Sequence, residues 1–275
     1  MKILISVDME GITGITSFEQ VNPAEAEYSR ARHWMTSDVN AAVAAAADFG
    51  GVDEIMVTDG HWDGRNILID ELDERAHLQV GNEKRLAMLQ GVDQGVQAVF
   101  LIGYHAKAGT QNAILDHTWS SRTIYNVELN GKSTGEIGLN ALLAGHFNVP
   151  VVMVSGDQSA CAEAAEWLPG VQAAVVKTAT GRGTADCLAP AASHACIGRA
   201  VNEALRHLKA GSAARPLKSE PPLRLALDFF YTGMADQAAL LPGSSRTGSR
   251  RIEITCADMP AVLQALRAAA VLAAH

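Results

Sequence analysis

The sequence is short of three things, and each shortage excludes a class of protein. Its four cysteines, Cys161, Cys187, Cys196 and Cys256, include no Cys-x-x-Cys pair. In a chain of 275 residues they read as buried reduced thiols of a cytoplasmic protein. Long apolar runs are also missing. The longest stretches, such as Val149–Ser155, fall far below the roughly 20 residues of a membrane-spanning helix. The first residues, MKILISVDMEG, turn acidic before an apolar signal core can form, so no secretory leader and no membrane partner are expected. Basic residues are in deficit as well: 22 Lys and Arg stand against 30 Asp and Glu, for a net charge of −8. That balance argues against binding nucleic acid, whose backbone demands clustered Lys and Arg. No internal repeat or low-complexity tract is evident.

What is present is ordinary for a folded protein. Hydrophobic residues make up 48% and charged residues 19%, with a mean hydropathy of +0.06. This composition supports a sizeable core and excludes disorder, coiled coil and collagen.

The apolar pattern predicts an alternating α/β order. Lys2–Val7 reads as a buried strand. Asn22-Pro23-Ala24-Glu25 reads as a helix start, with a cap, a proline in the first turn and a glutamate in reach. That helix runs to Ala47 and stops at Gly50-Gly51, and Val52–Thr58 follows as a second strand, parallel to the first. Leu86–Val92 reads as a short helix and Gln97–Ile102 as a third strand. Thr123–Leu129 and Lys132–Thr134 flank Asn130-Gly131, a favoured hairpin turn. Helices are expected at Gly135–His146, Gln158–Leu168 and Pro190–Lys209, and strands at Pro150–Ser155 and Val171–Lys177. Gly211–Pro222 has linker composition. Beyond it come strands at Leu223–Tyr231 and Arg251–Thr255 and a helix at Asp258–Ala273. The expected fold is a three-layer α/β sandwich around a mainly parallel sheet, residues 1–210, then the linker, then a small α+β region, residues 223–275.

The chemistry falls at strand ends. The first strand runs into Asp8-Met9-Glu10-Gly11, the second into Asp59-Gly60-His61 and the third into Gly103-Tyr104-His105. Parallel strands bring their carboxyl ends to one edge, where ligands bind. Asp8 and Glu10, two apart in extended chain, can face the same site. Carboxylates that close repel, and a divalent cation offsets the repulsion. Carboxylate with imidazole suits zinc ahead of manganese or cobalt, and the number of donors divides well between two ions that share a carboxylate. Each piece alone also has a plain reading as a cap, a salt bridge or a surface histidine. On residue pattern, Glu136 is an ordinary first-turn glutamate and His117 a loop histidine; the remaining histidines, including His275, are surface or core residues.

Several segments taken together carry a resemblance: SVDMEG at Ser6–Gly11, TDGH at Thr58–His61, GYHAKAGT at Gly103–Thr110, DHT at Asp116–Thr118 and GEIGLNALLAG at Gly135–Gly145. In this order the set resembles the D-aminopeptidase family encoded with bacterial dipeptide transport, a group of dinuclear zinc peptidases. The likeness continues through Val149–Asp157 to the C-terminal helix. It implies two Zn2+ per chain, with Asp8 bridging them, Glu10 and His61 completing one site, and His105 and Glu136 the other. It implies a catalytic role for His117. It also implies a homo-oligomer, a ring-shaped decamer whose internal chamber admits short peptides, with D-residue dipeptides or tripeptides as the expected substrates. Trp62 and Asp116 depart from the small polar residue and the serine expected at those places, which puts the shape of the substrate pocket in question.

Three rivals remain at this level. A metal-dependent phosphoesterase or amidase fits the same donors, although no Lys or Arg cluster adjoins them in sequence. A nucleotide-binding protein would use Thr180–Thr184, but that loop matches neither common phosphate motif and reads as a turn. A non-catalytic peptide binder with a structural metal is the third.

Overall fold

The computed structural model describes residues 1–274. Twelve strands and seven helices follow in chain order: β1 (Lys2–Val7), α1 (Phe18–Val21), α2 (Tyr28–Asp48), β2 (Glu54–Asp59), β3 (Ala76–Gln79), β4 (Ala98–Tyr104), β5 (Ile124–Leu129), β6 (Lys132–Ser133), α3 (Glu136–His146), β7 (Val151–Asp157), α4 (Gln158–Trp167), β8 (Gln172–Gly181), β9 (Thr184–Cys187), α5 (Pro190–Lys209), β10 (Leu223–Phe229), α6 (Thr232–Ala238), β11 (Ser244–Arg246), β12 (Arg251–Cys256) and α7 (Met259–Ala273). Seven strands form one sheet in the order β3-β2-β1-β4-β7-β8-β9, parallel throughout except for the antiparallel β8–β9 pair.

Alternation within the central strands explains the layers. On β1, Ile3, Ile5 and Val7 enter one core while Leu4 enters the other; on β4, Phe100 and Ile102 face one side while Val99 and Leu101 face the opposite one. Both faces are therefore buried, as in parallel sheets covered on two sides. Helices α2 and α5 pack over the first face through Val39, Val43, Ile197 and Val201. Helices α3 and α4 and a second layer cover the other.

That second layer is an antiparallel sheet in the order β11-β12-β10-β5-β6. Asn130 and Gly131, both at positive φ, make the tight turn between β5 and β6. The hairpin then pairs with β10, with Leu225 opposite Leu129, so strands from the last part of the chain complete a sheet that begins in the middle of it. Asp258 caps α7 by accepting the Ala261 N–H.

Several elements differ from the sequence reading. The long helix starts at Tyr28, not at Asn22-Pro23, because the Asn22 side chain accepts the Ala24 N–H and closes a local turn. The stretch at Leu86–Val92 holds only one 3-10 turn, Ala87–Leu89, interrupted by positive φ at Ala87 and Gly91. Strand β3, short and at the sheet edge, has too weak an apolar pattern to announce itself. Of Thr180–Thr184, Arg182 and Gly183 form the turn that joins β8 to β9, and the rest belongs to the paired strands.

Candidate metal and catalytic site

Strand β1 lies between β2 and β4, so the three donor-bearing strand ends are immediate neighbours. Two glycines allow this proximity. Gly103 takes φ +72°, and Gly11 donates its N–H to Gly103 O at 2.8 Å. A Cβ on Gly11 would lie 2.0 Å from Tyr104 O, so no side chain fits between these two chain segments.

The structure brings Asp8, Glu10, His61, His105, His117 and Glu136 to one cleft. Asp8 sits centrally: Oδ1 lies 3.2 Å from His61 Nδ1 and Oδ2 lies 3.3 Å from His105 Nε2. Glu10 Oε2 is 3.2 Å from the same His61 nitrogen. Glu136, from the first turn of α3, places Oε1 3.3 Å from His105 Nε2 and 3.8 Å from His117 Nε2. Among the described residues, Asp8, Glu10 and His105 form one group able to hold an ion, and His105, His117 and Glu136 form another.

Backbone carbonyls orient all three imidazoles. His61 Nε2 donates to Val21 O at 2.8 Å, His105 Nδ1 to Ala106 O at 3.0 Å, and His117 Nδ1 to Leu115 O at 2.9 Å. Each ring thus turns its other nitrogen toward the carboxylates, the arrangement by which proteins orient metal-binding histidines. Buried Asp8 Oδ2, Glu10 Oε2 and His105 Nε2 have no hydrogen-bond partner. Buried polar atoms are rarely left so, and a cation among them answers both the missing partners and the shared negative charge. The donor set therefore fits zinc.

The electrostatics agree. Burial pushes the Glu10 carboxyl upward, but His61 above all, then His117 and His105, hold it well below the carboxylate range. Burial pushes the His61 imidazole down, yet the carboxylates Glu10 and Asp8 raise it well above its usual value. Asp8 and Glu136 do the same to His105 against the same desolvation. The carboxylates that favour the charged form of these rings are the ones that would favour a cation in the same place.

The cleft has a volume of about 600 Å³. Trp62, half-exposed at φ +50°, lines it. Asp116 is held by Arg182, whose Nε donates to Oδ1 at 2.8 Å, and accepts the Gly109 N–H at 2.7 Å. It therefore shapes the His117 loop and is no ligand. Asp59, counted by sequence among the converging donors, instead accepts the N–H groups of Asn66 and Ile67 and the Asn66 amide, fixing the loop after His61. Lys84, Arg182 and Arg267 reach the cleft wall from segments distant from the strand-end donors, and Arg122 from five residues beyond His117. Lys84 and Arg267 donate to backbone carbonyls and Arg182 to Asp116. Away from the cleft, His33 pairs with Glu71, His194 with Asp38 and His207 with Glu203. His275 lies outside the described residues.

The cysteines are free, with Cys161 and Cys256 buried, and among the described residues no helix is long and apolar enough to cross a membrane.

Comparison with known proteins gives one answer. A family model described as D-aminopeptidase, peptidase family M55, matches residues 1–268. A curated D-aminopeptidase of Bacillus subtilis (strain 168) is 35% identical over 272 residues, which cover 97% of this chain and 95% of that protein. A solved structure, the Zn-dependent D-aminopeptidase DppA from Bacillus subtilis, described as a self-compartmentalizing protease, superposes with a TM-score of 0.95 at 33% identity, covering 100% of this chain and 98% of the other.

Proposed function

We propose a reaction from a fact of kinship: the chain belongs to the D-aminopeptidase family. The reading is a dinuclear-zinc aminopeptidase that removes the first residue of short peptides with a free N-terminus, D-residue dipeptides and tripeptides foremost. The observation that carries it is the Asp8 carboxylate, with one oxygen toward His61 and the other toward His105. Asp8 would be shared by two ions, Glu10 and His61 completing one ligand set and His105 and Glu136 the other. Zinc held there supplies Lewis-acid polarisation of a carbonyl oxygen and lowers the pKa of water toward neutrality.

The chain's own residues do the rest. Asp8, Glu10 and Glu136 would offset most of the charge that two zinc ions bring to the floor of the cleft. His117 keeps its Nδ1 proton on Leu115 O, so Nε2 is the atom that carries a proton to the leaving amine or steadies the developing oxyanion. Glu136 Oε1 accepts the Trp119 N–H at 2.8 Å, which fixes the loop bearing His117 relative to the ligands. Arg122, on the wall of the same cleft, has no ion pair among the described residues, and its guanidinium matches the free carboxylate of a short peptide.

The solved relative is self-compartmentalizing, and we extend that property to this chain as a homo-oligomer, a ring-shaped decamer with the clefts facing an inner chamber. Exposed Tyr125, Tyr231 and Leu240, all at or beside the second sheet, supply apolar surface for such contacts. Free thiols suit a cytoplasmic setting.

The test is release of alanine from D-Ala-D-Ala beside L-Ala-L-Ala, with and without a chelator. Chelator-sensitive turnover of the D-dipeptide is expected. Turnover of the L-dipeptide alone would remove the D-preference; turnover of neither by zinc-loaded protein would remove the peptidase reading.

A further inference from the structure

Lys177 is a buried charge for which the reaction above has no use. It lies on β8 and is 1% exposed. Its ammonium donates to Glu10 O at 2.6 Å, Ile12 O at 2.8 Å and Ile15 O at 2.7 Å. Those bonds use all three of its donor protons, so the group has none left for substrate. Burial depresses its pKa to about 8. Three carbonyls of one short loop converging on a point is how backbone surrounds a bound cation. Here the cation is tethered to a neighbouring strand.

The loop so gathered begins at Glu10. Its other contacts are also independent of any ligand: Gly11 N–H bonds to Gly103 O, and the Thr13 N–H and hydroxyl both donate to Asp38 at 2.9 Å. The same β8–β9 hairpin carries Arg182, whose carbonyl accepts the Leu115 N–H at 2.9 Å and whose side chain holds Asp116. A hairpin without a single ligand thus braces the Glu10 loop from one position and the His117 loop from another.

We propose that Lys177 is a positioning residue for the Glu10 half of the site, a built-in cation that sets Glu10 toward Asp8 and His61 before any metal arrives. The inference rests on the metal reading given above. Removing the ammonium leaves the Glu10 and Ile15 carbonyls without a donor and Ile12 O with only the Ile15 N–H, and frees the loop on the Glu10 side. The His105–Glu136 side hangs on β4 and α3, which Lys177 does not touch, and keeps its geometry.

The test is a zinc titration of metal-free wild type and Lys177→Met against a competing chromophoric chelator, with circular dichroism confirming the fold. Wild type takes up two equivalents. In Lys177→Met one equivalent keeps its affinity and the other weakens about ten- to a hundredfold, the same pattern as Glu10→Gln. Equal weakening of both, as a general loss of stability would give, overturns the proposal, and so does unchanged affinity for both. If Lys177→Met does not fold, Lys177→Ala with added propylammonium decides. Recovery of the weak equivalent with propylammonium and not with propanol supports the positioning role; recovery with neither, or with both, overturns it. A wild type that binds no zinc would instead overturn the metal reading itself.

Discussion

The imidazoles of His105 and His117 lie face to face, their centroids 4.1 Å apart and their planes 12° from parallel, yet the His105 side chain is 1% exposed and that of His117 is 16% exposed. One ring is sealed among carboxylates and the other opens to the cleft. That division supports the proposed roles, His105 as a metal ligand and His117 as the proton carrier.

Replacing His117 by Ala should therefore lower kcat by about 10²–10⁴-fold, the usual worth of a positioned acid or base, and leave the zinc content unchanged. His105→Ala should lose metal. Rate assays beside elemental analysis check both; loss of zinc from His117→Ala would move that residue into the ligand set, which its 3.8 Å approach to Glu136 makes a concrete alternative.

The same charges predict a pH signature for the metal-free protein. His61 and His105 are raised well above 6.5 in the folded chain. Their stabilisation is complete below pH 6.5 and is lost as pH rises through the folded values. Glu10 and Glu136 are lowered from 4.5, so their stabilisation is complete above pH 4.5 and is lost on acidification. The metal-free protein should be most stable between these two values. Zinc competes with the ring protons, so the loaded protein should hold its Tm as pH rises and the gap between the two forms should widen. Melting curves across pH, with and without chelator, check this; a gap that narrows toward alkaline pH contradicts it.

Arg122 should act on substrate length. Arg122→Ala should raise KM for a dipeptide with a free carboxylate by about tenfold or more, the scale of a charged hydrogen bond. The C-terminal amide of the same dipeptide should be little affected. Equal effects on acid and amide would assign Arg122 to the shape of the loop.

Legibility followed contact distance along the chain. Asp8, Glu10, His61 and His105 could be placed together from sequence because parallel strands carry their carboxyl ends to one edge, and the adjacency of β2, β1 and β4 made that edge short. Glu136 and His117 could not be placed by pattern: one opens a helix after a hairpin, the other sits in a loop, and only the family resemblance singled them out. The Asn130-Gly131 turn was readable, but its docking on β10 was not, since no local signal names a partner so far along the chain. Asp59 looked like a donor because a carboxylate at a strand end looks alike whether it faces a metal or ties down Asn66. The misplaced start of α2 has a similar origin, since the Asn22 side chain serves a turn as readily as a helix. Lys177 marked the end of an apolar strand as a lone cation, a signal that named no contact.

The most direct test of the account is the zinc content of wild type and Asp8→Ala after loading and exhaustive dialysis. A carboxylate shared between His61 and His105 predicts two zinc ions per chain in wild type and the loss of both in Asp8→Ala. A single ion in wild type, or an Asp8→Ala protein that keeps its zinc, would contradict the shared site.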